Sequence, residues 1–131
     1  MEDDDEIKRI REKRMKELIK KQGFPDKPLK VSDDSFDNTV KKYPLVVIDF
    51  WSEYCPPCML IAPVLDEMAG ELQGRVVFGK VCVDHYRLAA SKFGISAIPT
   101  LLVFKHGKLA DRIIGFAPKQ VLLERIKKHM G

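Results

Sequence analysis

The sequence predicts an α/β fold with a central mixed β-sheet of about five strands, flanked by helices. Three observations predict it. LVVIDFW (45–51) and RVVFGKVCV (75–83) are continuous β-branched and aromatic runs, the pattern of strands covered on both faces. The segment between them, about Pro57 to Leu72, carries apolar residues at helical spacing, so the three form a βαβ unit with parallel strands and a right-handed crossover. LLVFK (101–105) and KLADRIIG (108–115) flank His106-Gly107, a hairpin turn that adds an antiparallel pair.

Each element has its own local warrant. Asp5 to about Gln22 has Ile7, Ile10, Leu18 and Ile19 on one side at helical spacing, with Lys, Arg and Glu elsewhere. Asp3, Asp4, Asp5 and Glu6 at its start and Lys20 and Lys21 at its end suit the helix dipole, and Gly23 and Pro25 stop it. Residues 1–27 are therefore expected to be a helical extension and linker, and 28–131 the main domain. The sequence leaves open whether that helix packs on the domain, self-associates or meets a partner; packing on the domain is the default, because short amphipathic helices need tertiary burial.

LKV (29–31) is a short strand, and Ser32 or Asp33 is placed to cap the helix SFDNTVKKY, whose Phe36 and Val40 are spaced i, i+4. Tyr43-Pro44 ends that helix. In the helix after the first long strand, Met59, Ala62, Leu65, Met68, Ala69 and Leu72 are expected to face inward, and Pro63 to kink it. A short helix near Tyr86–Phe93 follows the second strand. The last helix, about Pro118 to His129, is expected to turn Val121, Leu122 and Ile126 inward, with Pro118 suited to its first turn.

Composition narrows the function classes. A chain of 131 residues, 45% hydrophobic and 32% charged, suits one soluble globular domain with room for a core but hardly for two. No apolar run reaches the roughly 20 residues of a membrane helix, and MEDDDEIKRIREKR has no apolar signal-peptide core, so the expected compartment is the cytoplasm and no membrane partner is expected. The net charge of +4 comes from interleaved acids and bases rather than one basic block, which argues against a nucleic-acid partner. Three cysteines, an odd number, make no disulfide framework; a close pair in a reducing compartment points to redox work or metal binding.

Cys55 and Cys58 stand in DFWSEYCPPCMLIAPVL (49–65), at a strand-to-helix junction. At the N-terminal mouth of a helix, unpaired N–H groups and the dipole stabilise an anion, lowering a thiol pKa and raising the fraction of thiolate, the attacking species. Cys55 would attack a disulfide and Cys58, one turn on, would resolve the mixed disulfide. A zinc module is the rival on spacing: Cys55-x-x-Cys58 with Cys82-x-x-His85, and Asp84 or His106 as substitutes. Otherwise Cys82 is a small buried strand residue or a regulatory thiol, and His85 a polar residue at a strand end.

FWSEYCPPCMLIAPVLDEMA, followed by KVCVD, FGISAIPTLLVFKHGK and IIGFAPK, resembles the thioredoxin family over roughly residues 28–130. The resemblance implies a thioredoxin-like fold, dithiol/disulfide exchange on protein disulfides, a monomer, re-reduction by a thioredoxin-reductase-type flavoprotein, and no metal or organic cofactor. By the same likeness Cys55 is the nucleophile and Cys58 the resolving thiol. Asp49 resembles the buried acid, a proton acceptor for Cys58 if burial raises its pKa, or else a hydrogen-bonded acid with no catalytic part. Lys80 matches the lysine beside that acid, or is a solvent-facing strand lysine. Trp51 resembles a packing residue under the site. Ile98-Pro99-Thr100 matches the family's cis-proline loop, which lies against the cysteines and presents the Ile98 backbone to substrate. Tyr54, Pro56, Pro57, Gly115 and Phe116 complete the implied substrate-binding set.

Four departures stand out. Pro56-Pro57 replaces the commoner Gly-Pro, Tyr54 stands where many have a second Trp, and Phe116 where a small residue is usual. The N-terminal helix lies outside the common domain and resembles charged leaders on some archaeal members. Pro56 removes a backbone N–H from the helix mouth, which predicts a less stabilised thiolate and a more reducing protein, unless the prolines preorganise the remaining donors and cancel the effect. A non-catalytic binding module, or an oxidase or isomerase of the same fold, are the alternatives; direction depends on potential against the surroundings.

Overall fold

Burial on both faces makes Leu45–Trp51 the central strand of the sheet. A computed structural model describes residues 6–11 and 23–131 of the chain. In order, β1 is Leu29–Lys30, α1 Phe36–Lys42, β2 Leu45–Trp51, α2 Pro56–Glu71, β3 Val77–Cys82, α3 Arg87–Lys92, β4 Thr100–Lys105, β5 Lys108–Ile114 and α4 Lys119–Lys127. The five strands run in the order β1-β3-β2-β4-β5. β3 is parallel to β1 and β2, whereas β4 is antiparallel to β2 and β5, so the sheet is mixed, as expected. The strand expected over 75–83 is trimmed to Val77–Cys82.

Alternation along β2 divides the core in two. Val47 packs with Leu101, Val103 and Phe78 against Ile61, Leu65 and Met68 of α2 and Leu122 and Ile126 of α4. Val46, Ile48 and Phe50 turn the other way, onto Phe36 and Val40 of α1 and Ala89 of α3. On that second face Gly79 sits so close that an added Cβ would stand 2.8 Å from Ile48 Cδ1 and 2.9 Å from Val31 Cγ2, both buried.

The expected inward residues are partly corrected. Leu65, Met68, Ala69 and Leu72 are buried, but Met59 is 46% exposed, because the buried line of α2 begins with Cys58 and Ile61 instead. Leu122 and Ile126 are fully buried as expected, whereas Val121 is 43% exposed and stands outside the inward line of α4. α2 runs continuously through Pro63. Residues 6–11 are helical, with Ile7 and Ile10 about half exposed; Leu18 and Ile19 lie outside the described residues.

The capping expectation also changes. Ser32 and Ser35 interlock, each hydroxyl accepting the other's backbone N–H at 3.2 and 2.9 Å, ahead of α1. Asp33 reaches across the fold instead and accepts from Ala89 N–H at 2.9 Å, capping α3. The far edge is tied down by Asp111. Between Val103↔Asp111 and Phe104↔Leu109 the register slips by one residue, leaving Ala110 as a bulge. Asp111 then takes the Arg125 guanidinium at 2.6 and 3.1 Å and His129 Nε2 at 3.1 Å, pinning α4 to β5.

Arg125, followed by His129 and the Arg112 N–H, holds the Asp111 carboxyl well below the usual carboxylate range. A lowered pKa means stability that is present above about pH 4 and lost as pH falls. Asp111→Asn should lower unfolding stability by about 1–2 kcal/mol at pH 7. The gap should narrow as denaturation is repeated at acid pH; a pH-independent difference would contradict the charge-based account.

Candidate active site

Cys55 is the N-cap of α2, in extended conformation, with Pro56 and Pro57 in the first turn. Cys55 and Cys58 are joined as a disulfide with their Cα atoms 5.2 Å apart. The Cys58 N–H donates to Cys55 Sγ at 3.3 Å. Two of the first three helical positions are prolines and supply no N–H, so this donor does the work that several share at an ordinary helix mouth. Cys58 is the more deeply buried of the pair, at 1% exposure against 7%.

Cys55 Sγ also lies 3.7 Å from the carbonyl oxygen of Ile98. A disulfide sulfur has no hydrogen to give, so in this oxidised state the approach is van der Waals contact. The Ile98-Pro99 peptide is cis, as the resemblance implied. Gly115, at φ +85°, donates its N–H to the Pro99 carbonyl at 2.8 Å and binds the loop after β5 to the proline loop. Phe116, next in sequence, is 49% exposed there, and Tyr54 on the other side of the cysteines is 85% exposed.

Asp49 occupies the middle of β2, 2% exposed, and among the described residues no protein group hydrogen-bonds either carboxyl oxygen. Burial pushes its pKa up to about 7, against a smaller opposing pull from Lys80, its register partner on β3. Asp49 shares its sheet face with Val47, the face on which α2 packs. Lys80 itself leans over Trp51, its Nζ 4.7 Å from the ring centroid. It is thus neither purely solvent-facing nor bonded to the acid.

A network that the sequence reading missed holds the loop between β2 and Cys55. Ser52, 6% exposed, donates its hydroxyl to Asp84 Oδ2 at 2.7 Å, and the Glu53 N–H donates to the same oxygen at 3.3 Å. The Ser52 hydroxyl in turn accepts the Tyr54 N–H at 3.3 Å. These bonds, Ser52 foremost, hold the Asp84 carboxyl below its ordinary pKa. The available signal was WSEYC itself, a serine in a loop that must be rigid to aim a cysteine. Its partner 32 residues away was not visible.

Cys82 is a buried free thiol whose sulfur lies 3.7 Å from the same Asp84 oxygen. The zinc reading finds no support: Cys55 and Cys58 are bonded to each other, and Cys82 is a free thiol in register with Trp51. Among the described residues no three His, Cys, Asp or Glu side chains are grouped to hold a metal. Of the expected site residues, Cys55 bonds Cys58 and touches Ile98, Gly115 bonds Pro99, and Asp49 pairs in register with Lys80, which rests on Trp51. The sequence reading left out Leu60, 64% exposed on the second turn of α2.

A buried acid on the sheet face covered by α2, with a Cys-x-x-Cys disulfide at the mouth of that helix, defines a protein of the thiol–disulfide exchange class. The thioredoxin family pattern matches residues 27–128, and the chain belongs to that family, the protein-disulfide oxidoreductases. A thioredoxin of Staphylococcus saprophyticus is 43% identical over 102 residues, 78% of this chain and 97% of that protein. One of Staphylococcus haemolyticus is 42% identical over the same shares. Among solved structures, a mutant thioredoxin from Halobacterium salinarum superposes with a TM-score of 0.77 at 27% identity, covering 82% of this chain and 95% of that one.

Two outcomes follow from this geometry. The native state keeps the Asp49 proton up to about pH 7, whereas the unfolded chain releases it near 3.8. Stability should therefore fall as pH rises through that window, by up to roughly 4 kcal/mol, and level off above it. Denaturation of Asp49→Asn across pH 4–8 should lack that slope; an unchanged slope would place the titration elsewhere. Pro56→Gly restores an N–H at the helix mouth and should make the couple less reducing by roughly 10–30 mV in a redox titration. A more reducing glycine variant would reverse the argument.

Proposed function

We propose that this protein reduces disulfides in other proteins, with Cys55 as nucleophile, Cys58 as resolving thiol and Asp49 as the group that takes the Cys58 proton. The observation that carries the assignment is an acid with no hydrogen-bond partner among the described residues and a pKa near neutrality, on the sheet face under the helix that bears both cysteines. Such a carboxylate can accept a thiol proton at pH 7 and return it, which one with an ordinary pKa does poorly.

In the reduced protein the Cys55 thiolate, steadied by the Cys58 N–H, attacks one sulfur of the client disulfide. The client S–S bond breaks, and its first sulfur leaves as thiolate and takes up a proton. A Cys55–client mixed disulfide remains. Cys58 passes its proton to Asp49 and attacks Cys55 Sγ, expelling the second client sulfur. Two electrons have moved from the dithiol to the client, and the protein is left as the Cys55–Cys58 disulfide.

Trp51 with Lys80 walls one side of the site. Tyr54, Pro56, Pro57, the Ile98-Pro99 loop, Gly115 and Phe116 form the face a client meets, the bulk of Phe116 narrowing it. Re-reduction falls to a thioredoxin-reductase-type flavoprotein, and the protein works as a cytoplasmic monomer. Among the described residues no helix is long and apolar enough to cross a membrane.

With insulin as client and dithiothreitol as donor, Cys55→Ser should abolish disulfide reduction. Cys58→Ser should arrest the reaction as a Cys55–client mixed disulfide visible on non-reducing gels. Cys82→Ser should retain most of the activity. Trapping on Cys82, or full activity without Cys55, would refute the assignment.

A further inference from the structure

The first two turns of α2 are apolar on the side that faces solvent as well as on the side that faces the core. Pro56, Pro57, Met59, Leu60 and Pro63 are all exposed, and Asp66 is the first charged residue after Glu53. Met59 is 46% and Leu60 64% exposed. The core has no use for these side chains, since Cys58, Ile61 and Leu65 already fill the inward line. Large apolar side chains clustered on a surface mark an interaction site more often than chance.

Their position relative to the reacting sulfur is set by the helix. Met59 is four residues beyond Cys55, and its N–H donates to the Cys55 carbonyl at 3.3 Å, so its backbone stands one turn behind that of the cysteine. Helical side chains lean toward the N-terminus, which brings the thioether back toward the sulfur. Leu60 stands in the same relation to Pro56.

A client protein must reach Cys55, and a standard interface covers about 800 Å² per partner, a disc of roughly 16 Å radius. Four residues of helix rise only about 6 Å. An interface that includes the sulfur therefore has Met59 and Leu60 within its reach. A charged client side chain laid on this stretch would be desolvated with no counter-charge.

We propose that Met59 and Leu60 are specificity-determining residues that seat an apolar client side chain about two residues from the client's reacting cysteine. The spacing follows from matching about 6 Å along the helix to about 3.3 Å per residue of extended client chain. The inference rests on the disulfide-reductase reading and extends it to the kind of client preferred.

The test uses the full chain and two disulfide-linked peptide pairs that differ only two residues from the cysteine, one carrying leucine and the other glutamate. Steady-state rates are measured for wild type and for the Met59→Lys/Leu60→Lys double variant, both positions being exposed enough to accept lysine. Wild type should favour the leucine peptide by about tenfold in kcat/KM, through KM. The double variant should lose that preference and gain on the glutamate peptide. Equal wild-type rates on both peptides, or a preference that survives the double substitution, would overturn the proposal while leaving the reductase reading intact. Failure of wild type to reduce either peptide would instead overturn the reductase reading.

Discussion

The site depends on β2 being buried on both faces. A strand covered on both sides can hold its backbone rigid to its last residue, and Trp51 ends it only four positions before Cys55. It can also hold a carboxyl that water does not reach. Asp49 is flanked along β2 by Ile48 and Phe50 and paired with Leu101 on β4, and burial there moves its pKa toward neutrality against the smaller opposing pull of Lys80 on β3. The packing that stabilises the domain thus also tunes its acid.

The helix mouth is built by subtraction. Pro56 and Pro57 suit the first turn because their missing N–H groups would have no intrahelical partner. What remains is a single backbone donor aimed at Cys55, and a loop held from outside by Ser52 and Asp84 rather than by the helix. Aim and electrostatic stabilisation are therefore supplied by different elements. The loop is held from the Asp84 side, and the Cys58 N–H is the backbone donor at Cys55 Sγ.

Much of this was legible beforehand. The five strands, the βαβ unit and the hairpin followed from β-branched runs and a His-Gly turn, signals that survive in any packing context. The cysteine pair and the cis-proline loop were legible because their residue order repeats a family pattern. Errors fell where periodicity is blunt. Met59 and Ile61 are both apolar, and a run such as MLIAPVL does not say which residue looks inward. The same ambiguity misplaced Val121. Asp33 stood beside α1 in the chain but caps α3, since a short polar side chain bonds whichever helix end the fold delivers.

By itself the sequence determined the element order, the mixed sheet and the chemistry at Cys55 and Cys58, because local propensity and residue identity carry those. Only the tertiary structure decided that Asp49 has no hydrogen-bond partner among the described residues, that Lys80 rests on Trp51, that Ser52 answers to Asp84, and that Met59 and Leu60 face outward. Each of these is set by what another part of the chain places nearby. Burial and partnership are properties of the assembled fold, and no window of sequence contains them.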